Sequence, residues 1–262
     1  MPPQAPGRQD PEPAGRTRAE RRLSGRAQRR AAEQQAARRK QFMLLGGAVA
    51  VALVVALVLI MLNRPQDGGA PIVAAAPLPA SIPVEGAVMG HESAPVTITE
   101  WGDFQCPSCG QFERNVVPQL KTGYVEPGLV RFEYRDYAFI GPESFRAAEA
   151  AACANDRGAF WPYHDTLFLN QRGENLKAFS DDRLKSIART LGLDTAAFDA
   201  CLDGGQHRDA VARSAAEGSS LGVNSTPSIF VNGTKIEWAG WDKLKQAIDA
   251  ELAKEQGDER QS

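Results

Sequence analysis

Cys106 and Cys109 stand two residues apart in the run Trp101-Gly102-Asp103-Phe104-Gln105-Cys106-Pro107-Ser108-Cys109. No other pair of residues in the chain is so well placed for chemistry, because the context reads as a strand-to-helix junction. A helix start offers unpaired N–H groups and the positive end of aligned peptide dipoles, so a sulfur placed there ionises more readily than a free thiol. The expected outcome is disulfide exchange. Cys106 would be the exposed sulfur that attacks, or is attacked, in a mixed disulfide, and Cys109, one turn deeper, would resolve that intermediate. Pro107 suits the first turn because its missing N–H removes no intrahelical bond. A c-type haem attachment needs His directly after the second cysteine, where Gly110 stands. A zinc site could recruit Cys153 and Cys201, yet neither has a paired ligand spacing, and the only nitrogen ligands in the chain are His91, His164 and His207. No metal and no cofactor are therefore expected. A purely structural bridge between Cys106 and Cys109 would close so short a loop that it makes a poor staple and a good exchange centre.

Cys153 and Cys201 fall in a helical region, without the helix-start or CxxC setting of an exchanging pair. In an oxidising compartment their expected state is a disulfide. The alternatives are two buried thiols serving as small apolar residues, or a second exchange-active pair.

The elements that must position Cys106 and Cys109 are legible around them. Val96 to Trp101 has the β-branched alternation of a strand, and Leu129 to Tyr134 repeats it. Between them, Gln111 to Pro118 suits a helix that starts near Cys106 and closes near Pro118, so a strand, helix, parallel strand unit is implied. The middle of the chain reads as helical. Pro142 opens an Ala-rich helix over Glu143 to Asn155, with others at Phe160 to Asn170, Asp181 to Leu191, Thr195 to Leu202 capped by Asp194, and His207 to Leu221. Strand character returns at Ser228 to Val231, a turn follows at Asn232-Gly233, a short strand lies around Lys235 to Glu237, and a last helix runs from Trp241 to Lys254. A helical insertion thus splits an α/β domain. No internal repeat suggests a solenoid.

The 262 residues carry a formal net charge of −2 and bound the chain to one substantial domain plus further segments. The near-neutral total hides an asymmetry, for Met1 to Gln41 holds eleven Arg or Lys against four Asp or Glu. From Phe42 to Leu62 no side chain is charged or strongly polar. As a helix this run spans roughly 30 Å, the thickness of a bilayer core. A single transmembrane helix is expected there, its N-terminal side held in the cytoplasm by Arg38, Arg39 and Lys40, and the C-terminal part exported. A cleavable signal peptide, with Ala74-Ala75-Ala76 as processing site, would have too long a basic region and too long an apolar core. The arginines suggest no nucleic-acid binding, since no aromatic residues interleave them and topology accounts for their charge. Gln66 to about Pro83, rich in Gly, Ala and Pro, reads as an extended spacer. The expected organisation is a basic cytoplasmic tail (1–41), a membrane span (42–62), a linker (63–83), the catalytic domain (84–255, helical insertion about 140–221) and a polar tail (256–262).

The stretches Ala94 to Cys109 and Gly222-Val223-Asn224-Ser225-Thr226-Pro227-Ser228-Ile229-Phe230-Val231-Asn232-Gly233 resemble the DsbA-like thioredoxin family of bacterial disulfide oxidoreductases, and the likeness in order and type of elements covers roughly Val84 to Ala253. It implies an α/β thioredoxin-like fold with an inserted helical domain, in agreement with the pattern above. It also implies that Thr226-Pro227 is the cis-proline loop that faces the active-site sulfurs and pairs with substrate backbone. Glu100, by the same resemblance, matches the buried acidic position that helps move the proton of the deeper cysteine; the alternative is a strand carboxylate turned to solvent. The strongest oxidases of the family carry Pro-His between their cysteines, where this chain has Pro107-Ser108. The loss of an imidazole removes one stabiliser of the Cys106 thiolate and implies a milder oxidant. The expected substrates are exported proteins with cysteines, and the family implies a quinone-linked membrane partner that resets Cys106 and Cys109. The competing functions are a disulfide reductase or isomerase of the same fold, a chaperone that holds extended peptides at Pro227, and a metal carrier.

Overall fold

The computed structural model describes residues 71–259 and, further towards the N-terminus, residues 43, 46, 47 and 53–56. The chain divides at Pro65 and Gln66 into two units. In the first, the described positions are helical. The expected basic tail and most of the expected span at 42–62 lie outside the described residues. Among the described residues no helix is long and apolar enough to cross a membrane.

The second unit is built on a six-stranded sheet in the order β1-β2-β4-β3-β5-β6. Val84–Glu85 (β1) and Val88–Met89 (β2) form a hairpin that the sequence reading passed over. Gly86, at φ +59°, supplies the left-handed backbone of its turn. Val96–Gly102 (β3) lies between Val130–Asp136 (β4), to which it is parallel, and Ser228–Val231 (β5), to which it is antiparallel. Thr234–Ile236 (β6) closes the far edge. The crossover from β3 to β4 is helical: Pro107–Asn115 (α1), Val117–Leu120 (α2) and a π-helical turn at Lys121–Val125. The break at Val116 precedes Pro118, which has no N–H to continue the ladder.

The expected insertion is observed as Pro142–Asn155 (α3), Phe160–Leu169 (α4), Asp181–Thr190 (α5), Thr195–Asp203 (α6) and Arg208–Ser220 (α7). The Asp194 carboxylate accepts from Ala197 N at 3.2 Å, the cap expected for α6. The inner face of α3 is made of Ala147, Ala150, Ala151, Cys153 and Ala154, all buried, so neighbouring helices can approach closely. Cys153 on α3 is bonded to Cys201 on α6, with their Cα atoms 5.9 Å apart. The last helix, Trp241–Glu259 (α8), continues past the expected end at Lys254 into the tail.

Residues 71–83 are the described part of the segment read as an extended spacer. They form no regular element, yet they are fastened to α4. Val73 N donates to Asn170 Oδ1 at 3.1 Å, Asn170 Nδ2 donates back to Val73 O at 2.8 Å, and Ala75 N donates to Thr166 Oγ1 at 3.0 Å. Ile72 and Leu78 pack on the core and Ile82 is buried within it. Polar side chains on a helix thus satisfy a strap whose own backbone has no strand partner.

Candidate active site

The site is assembled where β3 ends and α1 begins. By the two-residue period of a strand, Val96, Ile98 and Glu100 share one face of β3, and Glu100 there meets Glu113 of α1. Asp103, in the turn between them, is buried and fully used. Its Oδ1 accepts from Gln105 N at 2.8 Å and Ser144 Oγ at 2.7 Å, and its Oδ2 from Phe139 N at 2.9 Å and Ile140 N at 3.2 Å. One carboxylate thereby locks the turn before the cysteines to the first helix of the insertion. Gln171 does the same from the loop after α4, its Nε2 donating to the carbonyls of Phe104 and Cys106 at 2.8 Å each. A Cβ at Gly110 would lie 2.2 Å from Gln171 Oε1, so any larger residue there would push the clamp aside.

Cys106 occupies the N-cap of α1 in extended backbone, and Pro107 follows in the first turn. The Thr226–Pro227 peptide is cis, and the Cys106 thiol donates to the Thr226 carbonyl at 3.3 Å. This loop covers the sulfur that was expected to be exposed, leaving Cys106 7% accessible while Cys109 is wholly buried. Beside the loop, Ser108, Thr226, Pro227, Lys235, Ile236 and Trp238 line an open groove of about 320 Å³. Glu100 points inward, fully buried.

The electrostatics of the two sulfurs are opposed. A hydrogen bond from Cys109 is the largest influence on Cys106, and Thr226 and the amides of Cys109 and Ser108 add to it. They outweigh the cost of burial and bring the Cys106 pKa down from 9.0 to about 6. Burial, the hydrogen bond given to Cys106 and the nearby Glu100 push the Cys109 thiol well above the ordinary range. Burial likewise raises Glu100, and the facing carboxyl of Glu113 raises it further.

The depressed pKa of Cys106 gives two expected pH dependences. In the reduced protein, alkylation of Cys106 should reach half its maximal rate near pH 6, whereas Cys109 should stay unreactive through neutral pH; a single midpoint near 9 for both would overturn the asymmetry. Because the folded pKa lies below the unfolded one, the thiolate stabilises the reduced fold fully above about pH 9. That stabilisation is on the order of 1 kcal/mol at pH 7 and is lost as pH falls through 6.

The structure brings Cys106, Cys109, Thr226, Pro227 and Glu100 together, and it places the Cys153–Cys201 disulfide apart from them in the helical layer. Sequence reasoning missed Glu113, Asp103 and Gln171. Glu113 carried a usable signal, since it lies four residues after Cys109 on the same helix and hence on the same face. Gln171 carried none, being placed by a loop.

Residues 83–250 match the family model described as thioredoxin. A probable disulfide bond formation protein D from Bacillus cereus is 32% identical over 170 residues, which make up 63% of this chain and 78% of that protein. Among solved structures, oxidised BdbD from Bacillus subtilis aligns with a TM-score of 0.60 at 26% identity, covering 70% of this chain and all of that one. The reduced disulfide bond oxidoreductase DsbG from Mycobacterium tuberculosis aligns at 0.53 with 28% identity, covering 66% and 86%. The chain belongs to the DsbA-like, thioredoxin-fold family of thiol-disulfide oxidoreductases.

Proposed function

We propose that this oxidoreductase works outside the cytoplasm, anchored by residues 42–62, and oxidises cysteine pairs of exported proteins through Cys106 and Cys109. The observation that carries the oxidising direction is the stabilised Cys106 thiolate. Whatever lowers the energy of the reduced pair makes its disulfide a stronger oxidant. The helix-start amides, Thr226 and the Cys109 thiol supply that stabilisation without the imidazole that other family members place between their cysteines.

In this reading a client thiolate attacks Cys106 Sγ, the Cys106–Cys109 bond breaks, and Cys109 leaves and takes up a proton. A second client thiolate then attacks the client sulfur of the mixed disulfide, and Cys106 departs as the stable thiolate. The client loses two electrons and the cysteine pair gains them. A membrane redox partner would return the pair to the disulfide. The groove between Ser108, Pro227 and Trp238 suits an extended client segment. The basic flank of the apolar run and the Cys153–Cys201 bridge support an exported domain, since structural disulfides persist in oxidising compartments.

The deciding experiment is alkylation trapping of the Cys106–Cys109 pair in intact cells, combined with protease digestion of spheroplasts. A standing disulfide on a domain removed by external protease is expected. A standing dithiol would assign the reductase direction instead, and a soluble product beginning near Pro77 would replace the anchor by a signal peptide.

A further inference from the structure

We propose that His164 is the port through which protons reach and leave Cys109, passing between the Glu100–Glu113 carboxyl pair and the cavity beneath residues 75–79. The inference rests on the exchange roles given above to Cys106 and Cys109.

The thiol of Cys109 is sealed from solvent, yet each turnover must deliver a proton to it or remove one. Next to it, Glu100 and Glu113 face each other. No N–H or hydroxyl of the described residues donates to either oxygen of Glu100 or to Oε1 of Glu113. Two carboxylates in such contact repel unless they share a proton, and each is shifted upward, by burial first. The pair is thus a store for one proton, but a store without an outlet would serve a single half-reaction.

His164 lies on the far side of that pair. It is fully buried in a ring of aromatic side chains, Phe104, Tyr134, Phe160, Trp161 and Phe168, with centroids 4.5 to 5.6 Å away. A phenylalanine would fill this slot equally well. The imidazole instead fixes Nδ1 against Asp165 Oδ1 at 2.9 Å and holds Nε2 3.6 Å from Glu113 Oε1, with no hydrogen-bond partner among the described residues. With Nδ1–H donated to Asp165, the Nε2 lone pair faces the carboxyl pair and can accept its proton. Asp165 Oδ2 in turn accepts from Lys121 Nζ at 3.0 Å, and this ion pair is partly open to solvent. Glu113, Lys121 and Asp165 line a cavity of about 370 Å³ roofed by Ala75, Pro77 and Leu78 of the docked strap.

The step balances as a proton movement alone. When Cys109 attacks a mixed disulfide, its S–H bond breaks and the carboxyl pair takes the proton. The pair passes a proton to Nε2 of His164, which gives one up from Nδ1 on the Asp165 side. When Cys109 leaves from the disulfide, the same transfers run backwards. Electrons move only among sulfurs. The other groups facing His164 are Tyr134 and Asp136 on β4. Burial holds the Tyr134 hydroxyl protonated and raises Asp136 to about 7, so Asp136 requires its own control.

The test follows the full chain reacting with glutathione disulfide in two phases, formation of the Cys106 mixed disulfide and its resolution by Cys109. His164→Phe keeps the aromatic packing and His164→Asn keeps polarity, and folding of each is checked by circular dichroism. Both are expected to retain the first phase, and both should slow the second by about 10-fold or more. They should also change the pH profile of the second phase, which Asp136→Asn should leave as it is. Unaltered resolution rates and pH profiles in folded His164 variants would overturn the proposal. If neither variant folds, Asp165→Asn decides, because its position is partly exposed. A slowed second phase restored by added imidazole supports the port, and an unchanged one removes it. Absence of the first phase in the unaltered protein would instead defeat the exchange reading itself.

Discussion

Cells producing the Cys109→Ala protein should accumulate mixed disulfides between Cys106 and its clients, while the Cys106→Ala protein should accumulate almost none. An intramolecular thiol acts at an effective concentration on the order of 10⁵ M or more, so its loss should slow release of the client by attack on Cys106 at least about a thousandfold and leave the client's second thiol and outside thiols as the only exits. The reverse substitution leaves Cys109 wholly buried, with its thiol held protonated, and such a sulfur neither meets a client nor attacks one. A second readout separates chemistry from mere trapping. The hydrogen bond from Cys109 is the largest influence lowering the Cys106 pKa, so alkylation of Cys106 in Cys109→Ala should shift its midpoint upward from about 6. Non-reducing gels of trapped cells and a pH series of alkylation rates measure the two effects. Equal trapping by both variants, or trapping through Cys109 alone, would reverse the assigned roles.

Replacing Cys153 and Cys201 together by alanine should lower stability without stopping exchange. The bridge closes a loop of 48 residues between α3 and α6. The chain-entropy account gives about 4 kcal/mol for such a loop, and native strain commonly reduces it, so a loss of about 2–4 kcal/mol is expected, which in a domain of this size corresponds to a melting temperature lower by roughly 5–15 °C. Both cysteines are buried against the alanine face of α3, so two small cavities add to the loss. Exchange should survive because neither sulfur approaches Cys106, and the clamps on the active-site turn, Asp103 and Gln171, come from other residues. Thermal melts and insulin-disulfide reduction on the same preparations separate the two properties. A stable variant that no longer exchanges would move this pair from scaffold to relay.

The two pairs of cysteines differ in how far sequence alone could place them. Cys106 and Cys109 were legible because their chemistry is local. A β-branched strand, a CxxC and a helix-forming run fix a sulfur at a helix start within a dozen residues, and the observed N-cap at Cys106 follows from that local order. The succession of helices from Pro142 to Leu221 was legible for the same reason, with Pro142 and Asp194 marking starts by their backbone chemistry. The hairpin at Val84 to Met89 was not, since two-residue strands carry no period and are held only by pairing with β4.

What the sequence determined by itself is therefore the candidate pair Cys106 and Cys109, the elements on either side of it, and the division of the chain into a basic tail, an apolar run and an α/β domain with a helical insertion. These are properties of neighbours along the chain. Folding decided the rest. It turned Glu100 inward, although its strand position permitted either face, and it covered Cys106 with Thr226 and Pro227 from 120 residues away. It also docked residues 71–83 on Asn170 and Thr166, where composition suggested only a spacer. Above all it set Glu113, His164 and Asp165 behind the buried thiol. A proton path depends on which side chains share a desolvated interior, and burial, unlike helix or strand period, is fixed only when distant segments pack.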